Sequence, residues 1–244
     1  MLDEKNPLKK KVYIVIEILV AIMVMAAWLL MMLNTKEGEA FALTKWYNLK
    51  FFTVLSNLFA GFTSVLCVIF IMHGEKKENN NNIKKQNNDT GQPTIPIWLV
   101  KLRYIATSCV LLTFLTVLLI LGPFYGHSKL YINANLWFHL IIPITSTIGW
   151  CLLPIEERLS FHSSFLTFLP VIAYALFYCL NIFFRGMGEK LHSNDWYGIF
   201  NWGLIPAIII FSIMLLGNWG VALLLRLACK GHEKEKTEQN DKIK

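Results

Sequence analysis

VYIVIEILVAIMVMAAWLLMML, residues 12–33, follows Lys9, Lys10 and Lys11 and decides the fold class of this chain. Crossing a bilayer core takes about 20 helical residues at about 1.5 Å each. The run is longer than the roughly 7–15 apolar residues of a signal peptide, so it reads as a retained membrane span. Working outward, five more runs of the same kind follow: Phe51–Met72, Ile97–Leu121, Trp137–Leu153, Ser164–Phe184 and Gly203–Leu225. Backbone polar groups in lipid must be satisfied within the chain, and helices do this without a partner. The expected fold is an all-α membrane protein, a six-transmembrane-helix bundle forming one domain over residues 1–230.

Composition supports this class. Hydrophobic residues make up 55% of the 244 and charged residues only 16%, far from the balance of a water-soluble domain. Of 23 Lys and Arg, 17 fall on alternate ends of the spans. Four precede the first span, and six lie between the second span and the opening turns of the third, Arg103 included. One lies between the fourth and fifth spans, and six at or beyond the end of the last. Cationic segments stay on the cytoplasmic side during insertion, so both termini are expected inside. The loop 74–94, rich in Asn and Lys, has Ile83 as its one large apolar residue, the tail 231–244 is polar and mixed in charge, and the loop is expected to be disordered. A net charge of +7 is then a topology signal with weak attraction to lipid headgroups, and no nucleic-acid partner is needed to explain it.

The five cysteines (Cys67, Cys109, Cys151, Cys179, Cys229) lie within spans or at a cytoplasmic end and read as small packing residues. Neither they nor the six histidines show metal-ligand spacing, so no metal and no cofactor is expected. A GxSG string, which a rhomboid-type protease would need, is absent from the sequence.

Polar residues gather at the ends expected to face outward. The second span opens FFTVLSNLF (Phe51–Phe59). Thr53 falls in its first turn, with Ser56 and Asn57 on the same face at i+3 and i+4. Ala60, Gly61 and Ser64 continue that face with small side chains that admit a close neighbouring helix. The fourth span opens NANLWFHLIIPI (Asn133–Ile144). With the span starting at Trp137, His139 lies in the first turn, at about the depth of Thr53. An ionisable group at membrane depth is a functional candidate, and a histidine suits proton transfer. Thr53 and Asn57 could equally serve helix packing, and His139 a hydrogen bond to backbone. In the fifth span Tyr174, Tyr178, Asn181 and Arg185 recur at helical spacing, and the last outer loop, HSNDWYGIFNWG, carries Asp195. Asp195 is placed either to orient His139 or to pair with Arg185. The aromatics Trp46, Tyr47, Trp137, Trp196, Tyr197 and Trp202 read as an interfacial belt. The deeper Thr107, Ser108, Thr113, Thr116 and Asn218 read as interhelical hydrogen bonders.

The FFTVLSNLF segment, the NANLWFHLIIPI segment and the final DW element together resemble the Pr6Pr family of bacterial integral membrane proteins. More distantly they are similar to the androgen-induced and androgen-dependent membrane hydrolases, and the resemblance spans most of the chain. It implies an intramembrane threonine hydrolase acting on a lipid or acyl ester, with Thr53 as nucleophile and His139 as the essential histidine. A threonine hydroxyl needs an adjacent base to attack; Asn57 or Arg185 is then available to stabilise the oxyanion. Membrane lipids are the expected surroundings and the source of substrate. Two other classes stay open: a transporter or small-molecule binding protein with an outward-facing polar pocket, and a non-enzymatic membrane scaffold. A transporter would need a pathway to the inner face, and the inner halves of the spans offer few ionisable residues.

Overall fold

Long apolar runs bounded by Lys, Asn, Gly and Pro fold as helices, and six of them are long and apolar enough to cross a membrane. The computed structural model describes residues 7–33, 45–82, 95–154, 159–188 and 193–228. We label the long helices α1 (Pro7–Leu33), α2 (Phe52–Asn82), α3 (Ile97–Tyr125), α4 (Asn133–Leu152), α5 (Phe161–Arg185) and α6 (Leu204–Ala228). No strand occurs among the described residues. The protein is an all-helical bundle of the expected class.

The bundle is built around α3, which packs on α2, α4 and α6, while α1 lies against α2 and α4. Over their most apolar stretches α3 is 56% buried, against 17% for α5 and 22% for α6. The last two helices are therefore peripheral. Close approach of α1 and α2 needs Gly61, where a Cβ would come within 2.9 Å of Val24. The outward faces carry unbroken apolar side chains, such as Val15, Leu19 and Ile22 on α1 and Leu169, Ile172 and Leu176 on α5. Apolar surface this continuous is found where lipid, not water, is the solvent.

Several sequence expectations change here. Helix α2 runs past Met72 to Asn82, into the stretch expected to be disordered. Extending an existing helix costs far less than starting one, and Glu and Lys extend it readily. The rest of that loop, the polar tail and Cys229 lie outside the described residues. Helix α4 opens at Asn133, so His139 sits in its second turn, not its first. Thr107 and Ser108 bond to carbonyls of their own helix, Arg103 and Ile105 respectively. Thr113 does cross to Ser56 (3.3 Å), and Asn218 donates to the Thr167 carbonyl (2.7 Å).

Arg103 is the largest departure. It is not a headgroup-level topology charge but is wholly buried, with its Nε 3.1 Å from both carboxylate oxygens of Glu17, itself wholly buried. Its Nη1 donates to Ser146 Oγ at 3.0 Å. One guanidinium thus ties α3 to α1 and α4. A Cβ on Gly149 would stand 2.8 Å from the Glu17 carboxylate, so glycine there is what lets α4 come this close. Tyr13, Trp150, Tyr104 and Leu225 pack around this half of the bundle. Trp150 and Tyr104 each donate to a carbonyl of α6, at Leu225 and Ala222.

Candidate functional site

Helix irregularities at the opposite half of the bundle are written by two prolines. A proline cannot donate to the carbonyl four residues before it, and its ring crowds that carbonyl. Pro143 stands four residues after His139, and Pro123 four after Leu119. Each of those two residues is the centre of a π-helical turn, Trp137–Ile141 and Val117–Leu121. Ile142 N–H bonds back to Trp137, and Gly122 N–H to Val117. Single π turns recur at functional sites. Here they widen α3 and α4 at one level and carry Leu121 and His139 to a common opening.

That opening is a narrow cleft whose enclosed part is about the size of one water molecule, lined by Met31, Phe51, Thr53, Val54, Leu121, Asn135, His139 and Tyr197. Thr53 and His139, far apart in sequence, therefore line one cavity. His139 is buried, and its Nδ1 lies 2.8 Å from the Leu130 carbonyl. That carbonyl ends the short helix His127–Leu130, where helical carbonyls have no partner of their own. A carbonyl only accepts, so Nδ1 carries the proton and Nε2 of the neutral ring is a lone-pair base.

Thr53 is half-buried in the first turn of α2. Its carbonyl accepts from Ser56 Oγ (3.0 Å) and Asn57 Nδ2 (2.7 Å), and its hydroxyl makes no hydrogen bond to a described residue. Asn57 Nδ2 also donates to the Phe138 carbonyl at 3.2 Å. Ser56 and Asn57 thus hold the backbone of Thr53 and couple it to the helix that bears His139. Both amide hydrogens of Asn57 are committed to carbonyls, which removes it as an oxyanion donor.

Asp195 and Tyr178 meet elsewhere. The Asp195 carboxylate accepts from the Tyr178 hydroxyl and from Ile199 N–H (2.9 Å) and Phe200 N–H (3.0 Å). It caps the turn Ile199–Trp202, so it neither orients His139 nor pairs with Arg185. Arg185 is exposed at the end of α5, outside the cavity. Asn181 Nδ2 is buried with no hydrogen-bond partner.

Sequence reasoning missed two polar lining residues. Tyr197, assigned to the belt, instead accepts the Phe52 N–H at 3.0 Å and so seats the start of α2 beside Thr53. Burial pushes its phenol up to about 12, so it stays neutral. Asn135 lies one helical turn before His139, a spacing that could have marked it. Among the described residues no three His, Cys, Asp or Glu side chains converge to hold a metal. No family model, no curated protein and no solved structure matches this chain.

Proposed function

We propose that this multi-pass membrane protein is an intramembrane hydrolase of lipid or acyl esters. The observation that carries this is the shared cavity of Thr53 and His139, with the histidine tautomer set by the Leu130 carbonyl. Thr53 Oγ attacks the ester carbonyl while His139 Nε2 takes its proton. The C–O bond to the alcohol breaks, and the proton passes to the leaving oxygen. Water, activated by the same nitrogen, then releases the acyl group from Thr53 and restores the hydroxyl. The likeness of the two motif segments to the Pr6Pr proteins and the androgen-dependent hydrolases supports the same assignment. The Lys and Arg distribution supports a cavity end that faces outside and termini that lie in the cytoplasm.

One observation favours transport instead: the half opposite the cavity does contain ionisable residues, Glu17 and Arg103.

The test is labelling of purified protein by a lipophilic fluorophosphonate, beside Thr53→Ala, His139→Ala and Ser56→Ala. Labelling of the parent and of Ser56→Ala, lost in the other two folded variants, is expected. A folded parent that stays unlabelled, or a Thr53→Ala protein that still labels, would overturn the assignment.

A further inference from the structure

The π turns Val117–Leu121 and Trp137–Ile141 share a defect that two side chains repair. In each, an N–H bonds to the carbonyl five residues before it, as Gly122 does to Val117 and Ile142 to Trp137. The next donors in that register are Pro123 and Pro143, which have no N–H. The Leu118 and Phe138 carbonyls therefore lack that donor. Asn57 Nδ2 covers Phe138 at 3.2 Å, and His127 Nε2 covers Leu118 at 3.1 Å. A carbonyl only accepts, so Nε2 of His127 carries a proton. The ring has room because residue 122 is glycine; a Cβ there would overlap the imidazole. His127 opens the short helix His127–Leu130, and the Leu130 carbonyl at its end is the one that holds His139 Nδ1 at 2.8 Å. Tyr131 N–H closes this turn onto the His127 carbonyl at 3.1 Å, and the His127 and Tyr131 rings stack with centroids 6.1 Å apart. The turn is thus a strap, bonded to the π turn of α3 at one end and to that of α4 at the other. Just before it stands Gly126 at φ 87°, with open space where a Cβ would be, a joint that leaves the strap's direction to its bonds.

We propose that His127 is a positioning residue for His139. Its bond to the Leu118 carbonyl fixes the strap, so that the Leu130 carbonyl holds the His139 ring in one tautomer with Nε2 free to act as a base. His127 does not line the cleft and acts only through Leu130. An imidazole released from that carbonyl can carry its proton on Nε2 instead, and a nitrogen that carries the proton cannot take one from Thr53. The inference rests on the hydrolase reading for its effect at Thr53. The tautomer itself is read without any reaction, so the two stand or fall separately.

The full-length protein, isotope-labelled at its histidine nitrogens, is compared in detergent with His127→Phe, His127→Gln and Gly122→Ala by nitrogen NMR, whose imidazole resonances differ between the tautomers. His139→Gln identifies the His139 signal among the six histidines. The parent is expected to show His139 protonated at Nδ1 alone. His127→Phe keeps a stacked ring and loses the donor, and it should show a mixture of tautomers. Gly122→Ala should do the same by displacing the imidazole, although Gly122 has an ordinary helical φ of −60° where alanine alone would favour the helix. His127→Gln offers an amide donor to the Leu118 carbonyl and should restore the parent signal. Fluorophosphonate labelling of Thr53 should follow, falling about tenfold or more in His127→Phe and Gly122→Ala, as small misplacements of a reacting group do. A parent protonated at Nε2, an unchanged His139 signal in folded His127→Phe and Gly122→Ala, or an equal change in His127→Gln would overturn the proposal. A tautomer that changes as expected in a protein whose parent takes no label would sustain it and sink the hydrolase reading.

Discussion

Asp195 accepts three hydrogen bonds from inside the structure, and its role follows from them alone. Asp195→Asn replaces an acceptor-only group with one that must place hydrogens against the N–H donors. We expect a loss of about 1–3 kcal/mol, the cost of leaving buried partners unmade, measured as a fall in thermal unfolding temperature in detergent. Tyr178→Phe should fall in the same direction by less. Fluorophosphonate labelling of the remaining folded protein should be unchanged in both, which separates a turn cap from a partner of His139. At this scale the sequence was most legible where depth alone carried the inference. Thr53 and His139 reach one cavity because topology puts both near the same end. Glu17 was illegible, since one carboxyl in a long apolar run is tolerable by hydropathy and its partner lies in another helix. Tyr197 was misread because an aromatic at a helix end looks the same whether it faces lipid or caps a neighbour.

At the scale of the helix, the π turn at His139 depends on Pro143. Pro143→Ala supplies the missing N–H, so the turn is expected to close to ordinary α geometry. Removing one residue's worth of winding rotates one side of the turn against the other by about 100°. Helix content by circular dichroism should be retained while labelling at Thr53 falls at least tenfold. Unchanged labelling would show that the wider turn is not what presents the ring. Both prolines were visible in the sequence, and the carbonyl four residues before each gives the place of the irregularity. The helix boundaries were legible for the same elementary reason, the length of apolar chain. The continuation of α2 to Asn82 was not, because polarity was taken to end a helix that only needed residues able to extend it.

Across the whole molecule, the Glu17–Arg103 pair joins three helices around one buried charge. Glu17→Met or Arg103→Met alone leaves the other charge without its partner and should destabilise by about 3–5 kcal/mol. The double replacement should recover most of that loss, since two packed apolar side chains carry no desolvation cost. Unfolding in detergent across the four proteins of this cycle measures the coupling. If the double variant is no better than the worse single, the pair is more than a charge match. The same pair also bears on how the chain is made. Helix α1 emerges from the ribosome carrying Glu17 long before α3 brings Arg103, and a lone carboxylate at mid-helix costs about 2.5–3.5 kcal/mol to insert. The first helix must therefore enter lipid at that cost or wait beside the insertion machinery. A nascent chain stalled after α2 has no cation to meet it and becomes a natural target for quality-control proteolysis.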